Sequence, residues 1–392
     1  MNEGKATRYH RLRRRAQVLA TVGGVLALAA MLVSGASAAI RDMAIRIVDR
    51  TVVPSGVEEA GVAAVYTACV WLLLELVLFP ASVFREYVLE RRYDLSRISF
   101  GHWCSAHLTT TGLGALVAVS AAVVISTALR LFPSTWWLAC AAVFAIGSMA
   151  LTALAPLIVF PVIYRVSALA GDGHGRRLAS LVKRAGIRSL PIYQCAVGGT
   201  TRRAQATLVG LGPTRRVLVS DTLLEDCSAG EIDAVIAHEL GHHVHRDIWQ
   251  LVGFEFAVAV LALRAAGWAM EYVAPALALG WGSDVAALPL LALTAGAVVA
   301  AAAPLGYALS RYQERRADQF AIALTLDPAS LVSGLRRLGA QHLAEERPSR
   351  LVELLWHTHP PLDRRLAAAR AQPTRCCSGC PDRNPATLTQ LR

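Results

Sequence analysis

The run His238-Glu239-Leu240-Gly241-His242 sets two imidazoles around a carboxylate. Residues four apart share one face of a helix, so His238 and His242 can close on a single cation, and zinc is the expected metal. Glu239 then stands beside that ion, where it can take a proton from an attacking water. This geometry needs a helix, and the chain supplies its start. Ser228-Ala229-Gly230-Glu231 reads as a capping box, with Ser228 accepting from first-turn amides and Glu231 reaching back, so the helix begins at Ala229. His243 and His245 fall on other faces and read as solvated helix positions rather than ligands.

A catalytic zinc keeps three protein ligands and one open position. The extended motif with a nearby third histidine would put Gly at 245 and His at 248, but these are His245 and Ile248, so the third ligand must come from later in the chain. Glu314 is the best candidate. It lies in Ser310-Arg311-Tyr312-Gln313-Glu314-Arg315-Arg316-Ala317-Asp318, four residues before Asp318 on the same helical face, so both carboxylates can point at one metal centre. Asp318 then acts as the acceptor that fixes the tautomer of a ligating histidine. The competing reading is a surface ion-pair helix, because Arg311, Arg315 and Arg316 lie close by.

The elements that must carry these residues belong to a membrane protein. Of 392 residues, 55% are hydrophobic and 17% charged, and the mean hydropathy is +0.44, which is too apolar for an average soluble domain. A formal charge of +11 raises nucleic acid as a partner. The basic residues instead sit in blocks between long apolar runs, and no nucleic-acid recognition motif is present, so that class is set aside.

Six nearly uncharged runs are long enough to cross a bilayer: 16–40, 60–84, 112–129, 136–163, 248–270 and 286–309. Glu75, in the second, is expected to face other helices rather than lipid, and Arg264 near the outer end of the fifth can snorkel to the interface. The first run, with its basic head and Ala36-Ser37-Ala38, also resembles a secretory signal peptide, though it is longer than the usual apolar core. Lys and Arg concentrate in 5–15, 85–97 and 165–246, while the outer loops carry fewer, Arg41, Arg46 and Arg50 excepted. The positive-inside rule therefore places these segments and the chemistry they surround on the cytoplasmic side of the cell membrane.

Between the fourth and fifth runs the chain reads as mixed α/β. A helix is expected over 175–185, and Ala204–Val209 and Arg216–Ser220 form a hairpin around Gly210-Leu211-Gly212-Pro213. Polar helices follow the sixth run over 310–324, over 327–344 and after Pro361. The fold class is thus mainly α, a polytopic helical membrane protein with about six spans and a small α/β catalytic domain. The division is a membrane domain over 1–166, a catalytic domain over 167–370 that includes the last two spans, and a polar tail over 371–392. The eight Cys form no readable disulfide framework, and Cys376, Cys377 and Cys380 lack the fourth ligand a zinc site needs.

Three motifs occur together and in order: His238 to His242, the S-R-x-x-E-x-x-A-D run from Ser310 to Asp318, and Thr358-His359-Pro360-Pro361-Leu362-Asp363-Arg364-Arg365-Leu366. In this the chain resembles the type I CAAX prenyl endopeptidases and their bacterial relatives. The likeness extends to Leu78-Phe79-Pro80, Arg85-Glu86-Tyr87 and Glu90-Arg91-Arg92-Tyr93-Asp94-Leu95-Ser96, and so covers most of the chain except the two tails. It implies a zinc endopeptidase working near a membrane surface on a peptide or protein that is membrane-bound or lipid-modified. It further implies that His359 donates to the developing oxyanion, and that Arg365 holds either a substrate carbonyl or the surroundings of the ligands. An edge strand beside the metal would bind substrate through Gln205 and Ala206, where the family commonly has Asn-Ala. Two substrate classes stay open, prenylated C-termini and damaged membrane proteins. A non-catalytic zinc-binding scaffold is the rival of a different kind. The eukaryotic members have seven spans around a large chamber, and this chain offers six.

Overall fold

The computed structural model describes residues 4–51, 54, 57–158, 160–161, 165–169, 173–197, 203–280 and 284–372. Six helices among them are long and apolar enough to span a membrane. They are built on α1 (Lys5–Val33), α3 (Glu58–Ser82, continued through a π turn into the short α4, Leu89–Arg92), α5 (Phe100–Leu131), α6 (Trp136–Leu154), α10 (Asp247–Tyr272) and α11 (Leu288–Thr325). The first differs from the sequence-based range because Gly35, at φ 75°, turns the chain left-handed after Val33 and starts a separate helix α2 (Ala36–Asp49). The fourth ends at Leu154, two residues before Pro156; the end expected for it at Ile163 lies outside the described residues. The third begins twelve residues sooner than its apolar core, capped by Ser99 accepting from the His102 amide.

Two of these helices outrun the bilayer. α11 has 38 residues, roughly 57 Å at 1.5 Å per residue, against a hydrocarbon core of about 30 Å. Its second half therefore extends beyond the hydrocarbon core and carries Glu314 and Asp318. Likewise the basic head of α1 reaches the catalytic domain. There Arg14 pairs with the buried Glu345 at 2.6 Å and His10 lies 2.8 Å from the Leu343 carbonyl, while Tyr9 donates to Glu90 of α4 at 2.5 Å. In the membrane, Glu75 turns to α5 and pairs with His107 at 2.7 Å, as its charge requires.

The hairpin of the sequence reading is present as β3 (Ala206–Val209) and β4 (Arg216–Ser220), but it is half of a larger sheet. β1 (Arg165–Ala168) and β2 (Ile192–Ala196) complete an order β1-β2-β4-β3, antiparallel except where β2 runs parallel to β4. Both added strands are four or five residues long and only partly buried, so no alternating pattern marked them. Helix α7 (Gly173–Arg184) and the one-turn α8 (Asp221–Asp226) flank the sheet.

The helix predicted at Ala229 is α9 (Ala229–Val244), and its capping box is formed: the Ser228 amide donates to Glu231 at 2.8 Å, and Ser228 accepts in return. Ile232, Ile236 and Leu240, spaced by four, are fully buried with Val217 and Val219 of the sheet and Phe320 and Leu324 of α11. At about 1.5–3 kcal/mol per buried aliphatic side chain, this stripe fixes the rotation of α9 and so the direction of the histidines. Three helices close the domain: α12 (Pro328–Gln341), α13 (Arg350–Trp356) and α14 (Leu362–Arg370). The sequence reading missed α13, and it ran the helix over 327–344 three residues too far. The cysteine-bearing tail lies outside the described residues.

Candidate metal centre

α9 lies between the sheet and α11, and Gly241 packs against Ala317 and Phe320 of α11. A Cβ there would sit 3.0 Å from the Ala317 Cα and 3.3 Å from the Ala317 and Phe320 Cβ atoms, so any larger residue would force α11 to give by a few tenths of an ångström. The contact brings Glu314 under the histidines. His238, His242 and Glu314 offer ligand atoms that all lie within 4.8 Å of one another. The two Nε2 atoms face each other at 3.3 Å, and Glu314 Oε2 and Oε1 lie 3.4 and 3.5 Å from His238 and His242. His238 and Glu314 are buried, at 9% and 5% exposure.

Each imidazole is oriented from behind. His238 Nδ1 lies 2.9 Å from Asp318 Oδ1, as the sequence suggested, and Asp318 is itself gripped by Arg365 through two bonds of 2.7 and 2.8 Å. His242 Nδ1 lies 2.8 Å from Asp247 Oδ2. The sequence reading missed Asp247. Its signal was present: an acidic residue opening the fifth span, five residues after His242, with Arg246 at φ 55° making the sharp turn between α9 and α10.

The donor set fits a divalent zinc-type ion. Glu314 Oε2 is buried and has no hydrogen-bond partner among the described residues, although two nitrogens face it. With both Nδ1 atoms facing carboxylates within 3 Å, the Nε2 atoms and Glu314 converge as two nitrogens and one oxygen, the three-ligand arrangement that leaves one position open. Without metal, protons fill this place. Burial opposes the His238 imidazolium, but Asp318 and Glu314 outweigh it and raise its pKa to about 10. Burial opposes that of His242 too, and there Asp247 and Glu314 raise it to about 9.

Glu239 projects into the same cleft as the ligands, toward the free edge of the sheet. The Leu208 amide of β3, which points away from β4, donates to Glu239 Oε2 at 3.0 Å. Burial pushes the Glu239 carboxyl up, against the opposing pull of His238 and His242. A cleft of about 610 Å³ runs past this edge, lined by Gln205, Ala206, Glu239, Glu314, His359 and Arg365 among others.

The remaining candidates gather here too. His359 stands at the mouth, largely exposed, with Nδ1 2.9 Å from Glu314 Oε1. Its loop is held by Arg311, which donates to the carbonyls of Glu353 and His357 at 3.0 and 2.7 Å. This buried arginine is no member of a surface ion-pair helix, and its positioning task was not read from the sequence. Arg365 Nη1 is 3.5 Å from Glu314, so of its two suggested tasks it lies nearer the one around the ligands. Gln205 is exposed, and its amide and carbonyl are bonded to Ser220 on β4. Ala206 opens the strand whose far edge faces the cleft. His243 and His245 stay out of the cluster. Contrary to the solvated reading, His245 is buried, its ring 5.8 Å from that of Phe320.

Comparison with known proteins settles the family. A model described as Peptidase family M48 matches residues 174–372, and one described as CAAX prenyl protease N-terminal, five membrane helices, matches residues 4–165. The chain belongs to peptidase family M48. Over the second stretch four helices among the described residues are long enough to span, α2 being too short.

This M48 peptidase is 24% identical over 310 residues to the uncharacterized metalloprotease YhfN of Bacillus subtilis, covering 77% of this chain and 71% of that one. It is 24% identical over 184 residues to CAAX prenyl protease 1 of Saccharomyces cerevisiae, covering 46% and 40%. With a protease HtpX homolog of Bacteroides fragilis it shares 29% over 187 residues, covering 39% and 55%. In these last two matches the chain spans about half or less of the relative's length. The fold is that of the S. mikatae Ste24p crystal structure, with a TM-score of 0.80 at 18% identity over 93% of this chain and 87% of that one. The protein is thus an integral, multi-pass membrane metalloprotease of the kind that includes CAAX-type and HtpX-type enzymes.

Proposed function

We propose that the chain is a zinc endopeptidase whose ion is held by His238, His242 and Glu314 and whose general base is Glu239. The observation that carries this is the pairing of the three converging donors with a carboxylate seated on an open strand edge. When bound, zinc supplies Lewis-acid polarisation of a scissile carbonyl and of water. The rest falls to the protein. A substrate strand adds to the free edge of β3, where the outward groups of Ala206 and Leu208 bind its backbone and Gln205 flanks it. Glu239, steadied by the Leu208 amide and made more basic by burial, takes the proton of the attacking water and hands it to the leaving amine. His359 at the cleft mouth donates to the oxyanion, and Arg365 keeps Asp318 and through it His238 in place.

The blocks of basic residues support a location for this cleft at the cytoplasmic face of the cell membrane. The substrate we propose is a peptide presented close to that surface, membrane-bound or lipid-modified; the match of the N-terminal half to the CAAX-protease description supports it. The likeness to HtpX homologs supports a second substrate class, damaged membrane proteins. Glu239→Gln tests the base: zinc should stay bound while casein hydrolysis falls at least a thousandfold, on the order expected for loss of a general base together with charge stabilisation. Hydrolysis within tenfold of wild type would remove Glu239 from the mechanism. The same variant, used as a trap in cells, should co-purify with the stalled substrate and decide between the two classes.

A further inference from the structure

Behind the metal centre a second cavity, of about 560 Å³, opens between the end of α7, the end of α9 and α11. Its polar lining is Arg188, His243, His245, Arg246 and Arg316, with no carboxylate among its lining residues. Arg215 joins from the side: Nη1 is 2.9 Å from His243 Nδ1, and its buried Nε has no hydrogen-bond partner among the described residues. Elsewhere in the domain Arg177, Arg337 and Arg365 are paired with Asp233, Glu231 and Asp318. Arg188, Arg215, Arg246 and Arg316 form no ion pair with a carboxylate among the described residues. Three guanidinium groups lining one hollow, with a fourth against its His243, make a site for an anion.

Its depth says which anion. Arg246 immediately precedes α10, whose apolar run begins at Ile248, and Trp249 beside it is 49% exposed. On α11 the apolar run ends at Leu309, and Arg316 lies seven residues on, about 10 Å along the axis at 1.5 Å per residue. Its guanidinium covers the ring of Tyr312 at 5.3 Å, and Tyr312 is also 49% exposed. Exposed Trp and Tyr at the ends of spans mark the level of the headgroups. We propose that this cavity binds the phosphate headgroup of an anionic phospholipid. His243 follows His242 and Arg316 is two residues past Glu314, so a headgroup seated here braces the two helices that carry the metal cluster.

The test uses the full chain in phosphatidylcholine nanodiscs containing a minor fraction of phosphatidylglycerol, with retained lipids identified by native mass spectrometry. Replacing Arg188, Arg246 and Arg316 together by Gln should weaken phosphatidylglycerol retention by about a hundredfold, roughly fivefold per arginine. The same three positions as Lys should keep most of it. Bound zinc and the melting temperature report whether the Gln variant folds; if it does not, the exposed Arg188→Gln alone should still show the fivefold loss. Unchanged retention in the folded Gln variants would overturn the proposal. So would displacement of the lipid by inorganic phosphate at constant ionic strength, which would make the cavity a site for free phosphate. None of these readouts depends on peptide hydrolysis.

Discussion

Gly241→Ala isolates what the contact of α9 with α11 does. The added methyl would lie 3.0 Å from the Ala317 Cα and 3.3 Å from the Phe320 Cβ. Such contacts are tighter than carbon atoms normally make, so α11 must give by a few tenths of an ångström. Glu314 is three residues from Ala317 on the same helix and moves with it, whereas a metal site tolerates only about 0.2 Å. The overpacking costs about 1–3 kcal/mol, and Ala in place of Gly inside a helix returns about 1 kcal/mol, so the net loss of stability is about 0–2 kcal/mol. Zinc affinity should fall far more, by at least about tenfold and toward a hundredfold, as when the surroundings of ligands are disturbed. Competition with a chelating dye measures that affinity, and thermal melting of the metal-free protein measures stability. Gly253→Ala is the control, since nothing lies within 4 Å of its added carbon. If Gly241→Ala binds zinc as wild type does, the claim that this glycine sets the position of Glu314 is wrong.

Asp247→Asn removes the charge behind His242 and should weaken zinc binding by about 10–100-fold at nearly unchanged stability; an effect below twofold in the dye assay would show that the contact does not tune the ligand. Arg365→Ala leaves Asp318 without its bidentate partner, so metal affinity should drop while Arg365→Lys recovers only part of it, because an ammonium cannot form the two parallel bonds. For pH the sign follows from raised values: protonation of His238 and His242 adds stability to the metal-free protein that is fully present below about 6.5 and lost as pH rises through about 9 to 10. Zinc must expel these protons, so calorimetry in buffers of different ionisation enthalpy should record nearly two protons released per ion at pH 7, and fewer than one would contradict these values.

The sequence by itself determined what depends on local spacing and on solvent class. Six apolar runs declared the bilayer because no soluble core of this size needs so many uninterrupted hydrophobic residues. Ser228, Glu231 and the four-residue step from His238 to His242 fixed a helix and its ligand face, since capping and helical periodicity act within one or two turns. Glu314 and Asp318 were legible as a pair on one face for the same reason. Tertiary structure decided the rest. That β1 and β2 complete a sheet around the hairpin depends on pairings 25 to 31 residues apart, which weak four- or five-residue patterns do not announce. Asp247 behind His242, Arg311 under the His359 loop, and the head of α1 on Glu90 and Glu345 are contacts between elements, and spacing within one element cannot reveal them. Gly241 sits inside the motif, yet its task became readable only with Ala317 against it. A glycine in a sequence leaves room, and only the fold shows what fills it.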